Sequence, residues 1–266
     1  MTVAEKKIAL ITGASSGLGW ETVKALMQSH QPYHIFVGCL ILAEGEDAVA
    51  SLRSDVPESP STVKAIQVDI TSDDSIAQCF HVVQNETSHI DVLINNAGVS
   101  VQAAEVGMRE AWNRCYDVNV TGTQIMTYTF VPLLLRSQDP RLIFVASGLS
   151  SLGAMADTYT PTRMSVPAGW PKAEVHPYRA YRASKTALNM VMLEWYWQLR
   201  EDGVKTWGVS PGFLATGLTA SFAGKAGAPP VQHPSVGGQL IASVVAGKRD
   251  QDVGKIILKD RGLQPF

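Results

Sequence analysis

Short apolar, β-branched runs take turns with longer helix-patterned stretches along almost the whole chain, and this alternation limits the fold more than any other feature. KIALIT at 7–12 precedes a helix pattern from about Gly17. YHIFVGC at 33–39 precedes one from about Gly45, and VKAIQVD follows at 63–69. Thr71-Ser-Asp-Asp74 then supplies an N-cap and first-turn acids to a helix whose Ile76, Cys79, Phe80 and Val83 share one face. DVLINNAG, RLIFVAS and TWGVSPG are apolar nearly throughout, as strands are when helices cover both faces of a parallel sheet. The pattern predicts an α/β fold: a doubly wound parallel sheet of about seven strands flanked by helices. At 266 residues the chain exceeds a typical domain, but one continuous sheet of this kind accommodates it, so a single domain over 1–266 is expected.

Hydrophobic residues make up 45% of the chain and charged ones 17%, enough to bury a large core. The 22 basic and 24 acidic residues form no basic block, which argues against nucleic acid or an anionic membrane as partner and for a small molecule. Cys39, Cys79 and Cys115 are odd in number and lack ligand spacing, so buried thiols are expected and no disulfide or metal site. The first strand begins within a few residues of the start and no charged-then-apolar leader precedes it. Runs such as 130–135 are too short to span a bilayer, so the cytoplasm is the expected location.

Gly13, Gly17 and Gly19 fall in the turn between the first strand and the first helix. Missing side chains there let backbone amides and a helix N-terminus approach a pyrophosphate. The spacing is Gly-x-x-x-Gly-x-Gly, not Gly-x-Gly-x-x-Gly, and a purely structural turn also explains three glycines. The second strand ends Val37-Gly38-Cys39-Leu40, where an acid would select a ribose diol and an arginine a 2′-phosphate. Neither is present. With no acid to repel a phosphate, NADP(H) is slightly preferred and NAD(H) is not excluded. Asp69, at the end of the third strand, suits either the adenine amino group or a local cap.

Tyr181 and Lys185 lie one helical turn apart, so a phenol and an ammonium share a face. Hydride arriving at a carbonyl carbon leaves charge on oxygen, which calls for a proton donor and further hydrogen-bond donors. Tyr181 is the candidate acid, with Lys185 expected to lower its pKa by Coulomb stabilisation. Ser147, at the carboxyl end of its strand, can donate to the same oxygen. Tyr178 lies seven residues from Lys185 and is passed over. Between Ser147 and Tyr181 the prolines at 161, 167, 171 and 177 exclude a long helix. An irregular insertion at 150–178 is expected, and Met155, Met164 and Trp170 favour a cap over the substrate pocket above a plain surface loop.

TGASSGLG, NNAG, Asn119, Ser147, Tyr181-x-x-x-Lys185 and Pro211-Gly212 occur in the order and approximate spacing of the short-chain dehydrogenase/reductase family, which the chain resembles over nearly its full length. The resemblance implies a Rossmann-type NAD(P)-binding domain and an oxidoreductase. Its cofactor contacts would be Gly13, Ser15, Ser16, Gly17, Leu18, Gly19, Leu40, Asp69, Ile70, Asn96, Ala97, Gly98, Tyr181, Lys185, Pro211, Gly212 and Thr216. It further implies that Asn95 braces the central strands, and that Asn119 kinks its helix and completes a proton relay with Ser147, Tyr181 and Lys185. Ser147, Tyr181, Phe213 and Leu214 would meet the substrate. The long interval before Tyr181 is similar to that of the carbonyl reductases, and Leu40 replaces an arginine common in similar sequences. From Ala187 to Leu199 the helix has only Asn189, Glu194 and Gln198 as polar side chains. Its second face therefore needs cover from the insertion or from a second copy, a possible homodimer. Trp195 and Trp197 are read as packing residues. The expected activity is NAD(P)H-dependent reduction of a ketone or aldehyde, or the reverse. A dinucleotide sensor without catalysis and a relative of the sugar-nucleotide epimerases or dehydratases are the alternatives.

Overall fold

The computed structural model describes residues 6–157, 168–172, 178–219, 230–259 and 262–266. Eight strands form one sheet: β1 (Lys7–Ile11), β2 (Tyr33–Cys39), β3 (Thr62–Gln67), β4 (Val92–Asn95), β5 (Arg141–Val145), β6 (Lys205–Ser210), β7 (Ile256–Leu258) and β8 (Gly262–Gln264). Their order is β3-β2-β1-β4-β5-β6-β7-β8. Pairing is parallel as far as β7, and β8 runs antiparallel to β7 with Ile256 opposite Gln264. About seven strands were expected; the eighth corrects that count. Gly-Leu-Gln is too short to show a period, and its Leu263 is exposed, so no apolar alternation marks it.

Nine helices are described: α1 (Gly17–Met27), α2 (Leu42–Asp55), α3 (Asp73–Glu86), α4 (Ala103–Val106), α5 (Met108–Tyr116), α6 (Thr123–Leu134), α7 (Leu152–Ala156), α8 (Arg179–Leu199) and α9 (Pro234–Val245). A π-helical turn, Asp117–Gly122, joins α5 to α6. Ser72 caps α3 by accepting from Ser75 N, with Asp73 and Asp74 in the first turn. α2 begins three residues ahead of the expected Gly45, because Leu42 to Glu44 are exposed and add nothing to the apolar stripe.

Alternate strand residues feed two core layers. Leu10, Phe36, Leu93, Leu142, Phe144 and Ile256 pack toward α3, α6 and α8. Ile11, Ile35, Ile94, Ile143, Val209 and Ile257 pack toward α1 and α9. Each buried aliphatic side chain contributes about 1.5–3 kcal/mol over exposure, so these layers are the main stabilising term. β1, β2 and β3 step one way across the sheet, then the chain crosses back to lay β4 on the other side of β1. Ligands of open α/β sheets bind at the strand carboxyl ends beside such a reversal.

The opposite ends of the strands are held by charge. Arg141 bonds Asp139 and, through both terminal nitrogens, Asp250 at 2.7 and 3.0 Å. Lys205 bridges the same two carboxylates at 2.9 Å, and Lys7 reaches Asp139 at 2.8 Å. Burial alone would raise the Asp139 carboxyl, but the hydrogen bonds from Lys7, Lys205 and Arg141 hold it well below the usual carboxylate range.

Candidate active site

The glycine turn follows β1 directly. Gly13 and Gly17 adopt φ of 61° and 55°, the left-handed region that favours glycine. A Cβ at Gly19 would overlap the Gly13 carbonyl, and one at Gly13 would lie 2.9 Å from the Ala97 Cα. The turn is tied to NNAG by Thr12, whose Oγ1 accepts from the amides of Asn96 and Ala97, both at 3.0 Å. Asn96 Nδ2 returns bonds to the carbonyls of Thr12 and Gly13 at 2.8 and 2.9 Å. Thr12 was given no role in the sequence, although it opens the TGASSGLG motif. Ser16, the N-cap of α1, makes no side-chain cap bond, so the first-turn amides depend on some other acceptor. Ser15 and Leu18 beside it are half-buried, and Thr216 faces the turn: a Cβ on Gly17 would meet its Cγ2 at 3.4 Å. Pro211 is buried and Gly212 turns with φ 97°.

At the end of β2, Cys39 is buried with its thiol toward the Ile66 carbonyl, while Leu40, Ile41 and Leu42 are exposed in sequence. Asp69 Oδ1 accepts from the amide and hydroxyl of Thr71 at 2.9 and 2.7 Å, so this carboxylate caps a local turn. Ile70 is buried beneath the π-turn, where a Cβ at Gly122 would overlap the Ile70 carbonyl.

Ser147 follows β5 and begins a short 3-10 turn, its Oγ accepting from Leu149 N at 3.2 Å. Tyr181, in the first turn of α8, hydrogen-bonds with Ser147. Lys185 is 3% exposed; its Nζ lies 6.0 Å from the Tyr181 ring centre and donates to Val145 O at 2.8 Å. Burial raises the phenol of Tyr181, with the Ser147 bond opposing it. The sequence reading had Lys185 lowering that phenol; here desolvation outweighs any such pull. Burial also pushes Lys185 down to about 8. At neutral pH the pair is therefore a protonated phenol beside an ammonium.

Asn119 sits fully buried within the π-helical turn. Its Nδ2 donates to Val99 O and Ser184 Oγ, both at 2.9 Å, and its Oδ1 accepts from Val99 N at 2.8 Å. Ser184 in turn donates to Tyr181 O at 2.8 Å, so the π-turn is fastened to the start of α8. A Cβ at Gly98 would stand 3.1 Å from Asn119 Oδ1 and 3.3 Å from Lys185 Nζ, so only glycine leaves the space beside both. Asn95 Nδ2 bonds Thr127 Oγ1 at 2.9 Å, linking β4 to α6.

Around Tyr181 the surface is apolar. Cys115, Tyr178 and Ala180 are buried with it, and Val101, Leu149 and Leu218 pack against them. Tyr178 was passed over as the acid in favour of Tyr181, and Cys115 was read only as a buried thiol; both pack beside Tyr181. Phe213 is half-buried nearby in sequence, whereas Leu214 is 4% exposed with Cδ1 packed toward Gly237 of α9. In the insertion, Met155 and Trp170 are exposed, and Met164 lies outside the described residues. The three cysteines are free and buried. Among the described residues no cluster of His, Cys, Asp or Glu could hold a metal ion, and no helix is long and apolar enough to cross a membrane.

A parallel sheet in this order, with a glycine turn at its switch point and a Ser-Tyr-Lys-Asn group beside it, defines a Rossmann-fold oxidoreductase. The family model described as short chain dehydrogenase matches residues 7–168. The short-chain dehydrogenase/reductase tropE of Talaromyces stipitatus is 72% identical over 266 residues, covering all of both chains. The short-chain dehydrogenase/reductase eupG of a Phoma species is 47% identical over 257 residues, 92% of each. The chain belongs to the short-chain dehydrogenase/reductase family. Among solved structures, the Pseudomonas aeruginosa RhlG/NADP active-site complex superposes with a TM-score of 0.75 at 21% identity, covering 94% of this chain and 93% of that one. A short-chain type dehydrogenase/reductase from Mycobacterium marinum gives 0.76 at 21% identity over 97% and 95%.

Proposed function

We propose that the protein is a cytoplasmic NADP(H)-linked carbonyl reductase, or secondary alcohol dehydrogenase in reverse, acting on a moderately bulky apolar ketone. The observation that carries this reading is the buried hydrogen-bonded pair of Ser147 and Tyr181 with Lys185 one turn on. The chain fits a nicotinamide dinucleotide on its own geometry. The uncapped first turn of α1 and the glycine turn suit a pyrophosphate, and the space kept by Gly98 suits a group approaching Lys185. When bound, the cofactor supplies the hydride.

Tyr181 donates its phenolic proton to the substrate oxygen as negative charge develops there. Ser147 donates a hydrogen bond to that oxygen and orients the phenol. Lys185 stabilises the phenolate left behind, and its remaining donors suit ribose hydroxyls. Asn119 holds α8 in place through Ser184. Gly13, Ser15, Ser16, Gly17, Leu18 and Gly19 would carry the pyrophosphate, and Asn96, Ala97, Gly98, Pro211, Gly212 and Thr216 the nicotinamide half. Leu40, Asp69 and Ile70 would border adenosine. Exposed Leu40 to Leu42 present no carboxylate to a 2′-phosphate, which favours NADP(H) over NAD(H); the fold relative from Pseudomonas aeruginosa is itself titled as an NADP complex. Val101, Leu149 and Leu218 form an apolar wall that suits an apolar ketone, with Phe213 beside it in the proposed pocket. Buried reduced thiols fit the cytoplasm. Exposed Met190 and Trp197 on α8 suit a homodimer through that helix.

The test is a fluorescence titration with NADPH and NADH followed by absorbance assays on aryl and aliphatic ketones. Ketone-dependent NADPH oxidation is expected, reduced at least a thousandfold in Tyr181→Phe with NADPH affinity nearly unchanged. NADPH binding without turnover on any ketone or alcohol would move the assignment to a non-catalytic sensor.

A further inference from the structure

Bonded to the backbone of Ser147 is a buried polar cluster with no part in proton transfer. The Ser147 carbonyl accepts from Ser150 N at 2.9 Å, from Ser150 Oγ at 2.6 Å and from Gln264 Nε2 at 3.1 Å. Gln264 Nε2 also donates to Ser150 Oγ at 3.0 Å, as does Asn189 Nδ2, and Thr186 Oγ1 donates to Ser150 O at 2.9 Å. Ser150 is fully buried, and Asn189 and Gln264 are each 5% exposed.

Strand register explains how a residue 117 positions downstream arrives there. Phe144 pairs with Gly208, Gly208 with Ile256 and Ile256 with Gln264, so Gln264 stands in the same cross-sheet row as Phe144. Alternation then points its side chain to the α8 side, where Phe144 and Ile256 also pack. The same segment reaches the start of the insertion, with Gly153 N donating to Phe266 O at 2.9 Å.

The carboxamide is an expensive choice for a structural residue. Its Oε1 is buried and has no hydrogen-bond partner among the described residues, a burden that an apolar side chain would avoid. Only the donor end makes bonds, and both go to the turn that presents Ser147. We infer that Gln264 is a positioning residue for the reaction: β8 delivers a carboxamide that locks the Ser147–Ser150 turn and so sets where Ser147 Oγ meets Tyr181 and the substrate oxygen. The inference rests on the reductase reading above and adds to it an element remote from every motif. Preorganised donors act only at the right place, and displacement of about 1 Å costs on the order of a hundredfold in rate.

The experiment compares the unsubstituted protein with Gln264→Leu, which keeps size and removes the donor, and with Ser150→Ala, which removes the shared hydroxyl. Expected for both are an NADPH dissociation constant within twofold of the unsubstituted value, a kcat lowered on the order of tenfold or more with KM moved less, and faster amide exchange across residues 147–153. A kcat within twofold in a folded, NADPH-binding Gln264→Leu overturns the inference, and so does unchanged exchange. If Gln264→Leu does not fold, Ser150→Ala decides by the same criteria. If the unsubstituted protein oxidises NADPH with no ketone, the reductase reading fails separately. Exchange across 147–153, which needs no substrate, then decides the role of Gln264.

Discussion

Single residues at the site do their work through burial as much as through charge. Lys185 has lost enough solvent to titrate at about 8, while Tyr181 is raised by the same cause. Below that value the ammonium is charged and the phenol holds its proton, the state the proposed ketone reduction requires. Above it the cation is lost. The expected outcome is a kcat/KM for reduction that is level through neutral pH and falls above about pH 8, read from a pH–rate profile of the free enzyme. An arginine at position 185 keeps its charge and removes that limb from whatever activity survives. That Tyr181, Lys185 and Ser147 would come together was legible in the sequence, from the Tyr-Lys spacing and the strand-end position of Ser147. The upward shift of the phenol was not, since it depends on how much protein surrounds the hydroxyl. Thr12 and Ser184 escaped for a related reason: a hydroxyl shows its partner only once the strands and helices are placed.

At the scale of elements, the π-helical turn Asp117–Gly122 is the joint on which the site depends. It directs Asn119 at Val99 and Ser184, and it passes so close to Ile70 that Gly122 has no room for a Cβ. Gly122→Ala must displace the turn or the Ile70 carbonyl. A loss of about 1–3 kcal/mol is expected, as for other overpacked positions, measured as a lower midpoint in urea with activity falling as Asn119 moves. The parallel strands and α1, α3 and α8 were readable from apolar runs, a Ser72 cap and helical spacing. A helix kink at Asn119 was expected from the family resemblance, but its π-helical form was not, because Asp-Val-Asn-Val-Thr-Gly follows no distinctive period. β8 was missed because three residues carry no pattern and gain their meaning from pairing with Ile256.

Across the whole molecule, the two ends of the sheet have separate occupations. The candidate site gathers at the carboxyl ends of β1, β4, β5 and β6, and the ion-pair group of Lys7, Asp139, Arg141, Lys205 and Asp250 gathers at the other. Asp139 has a folded pKa below its unfolded value, so its contribution to stability is present above about pH 4 and is lost as pH falls through the folded value. Melting temperature should therefore drop steeply below about pH 4. Asp139→Asn should lower it by a few degrees at pH 7 and flatten that acid limb, as calorimetry across pH would show. The doubly wound architecture was legible because buried parallel strands cannot hide their apolar runs; the ionic floor was not, because its members are scattered from residue 7 to residue 250. Such a division also bears on how a lineage of these proteins can change. Substitutions that reshape the rim for a new substrate leave the floor untouched, so binding range can drift while thermal tolerance is inherited, and a population adapting to heat can retune the floor without rebuilding the rim.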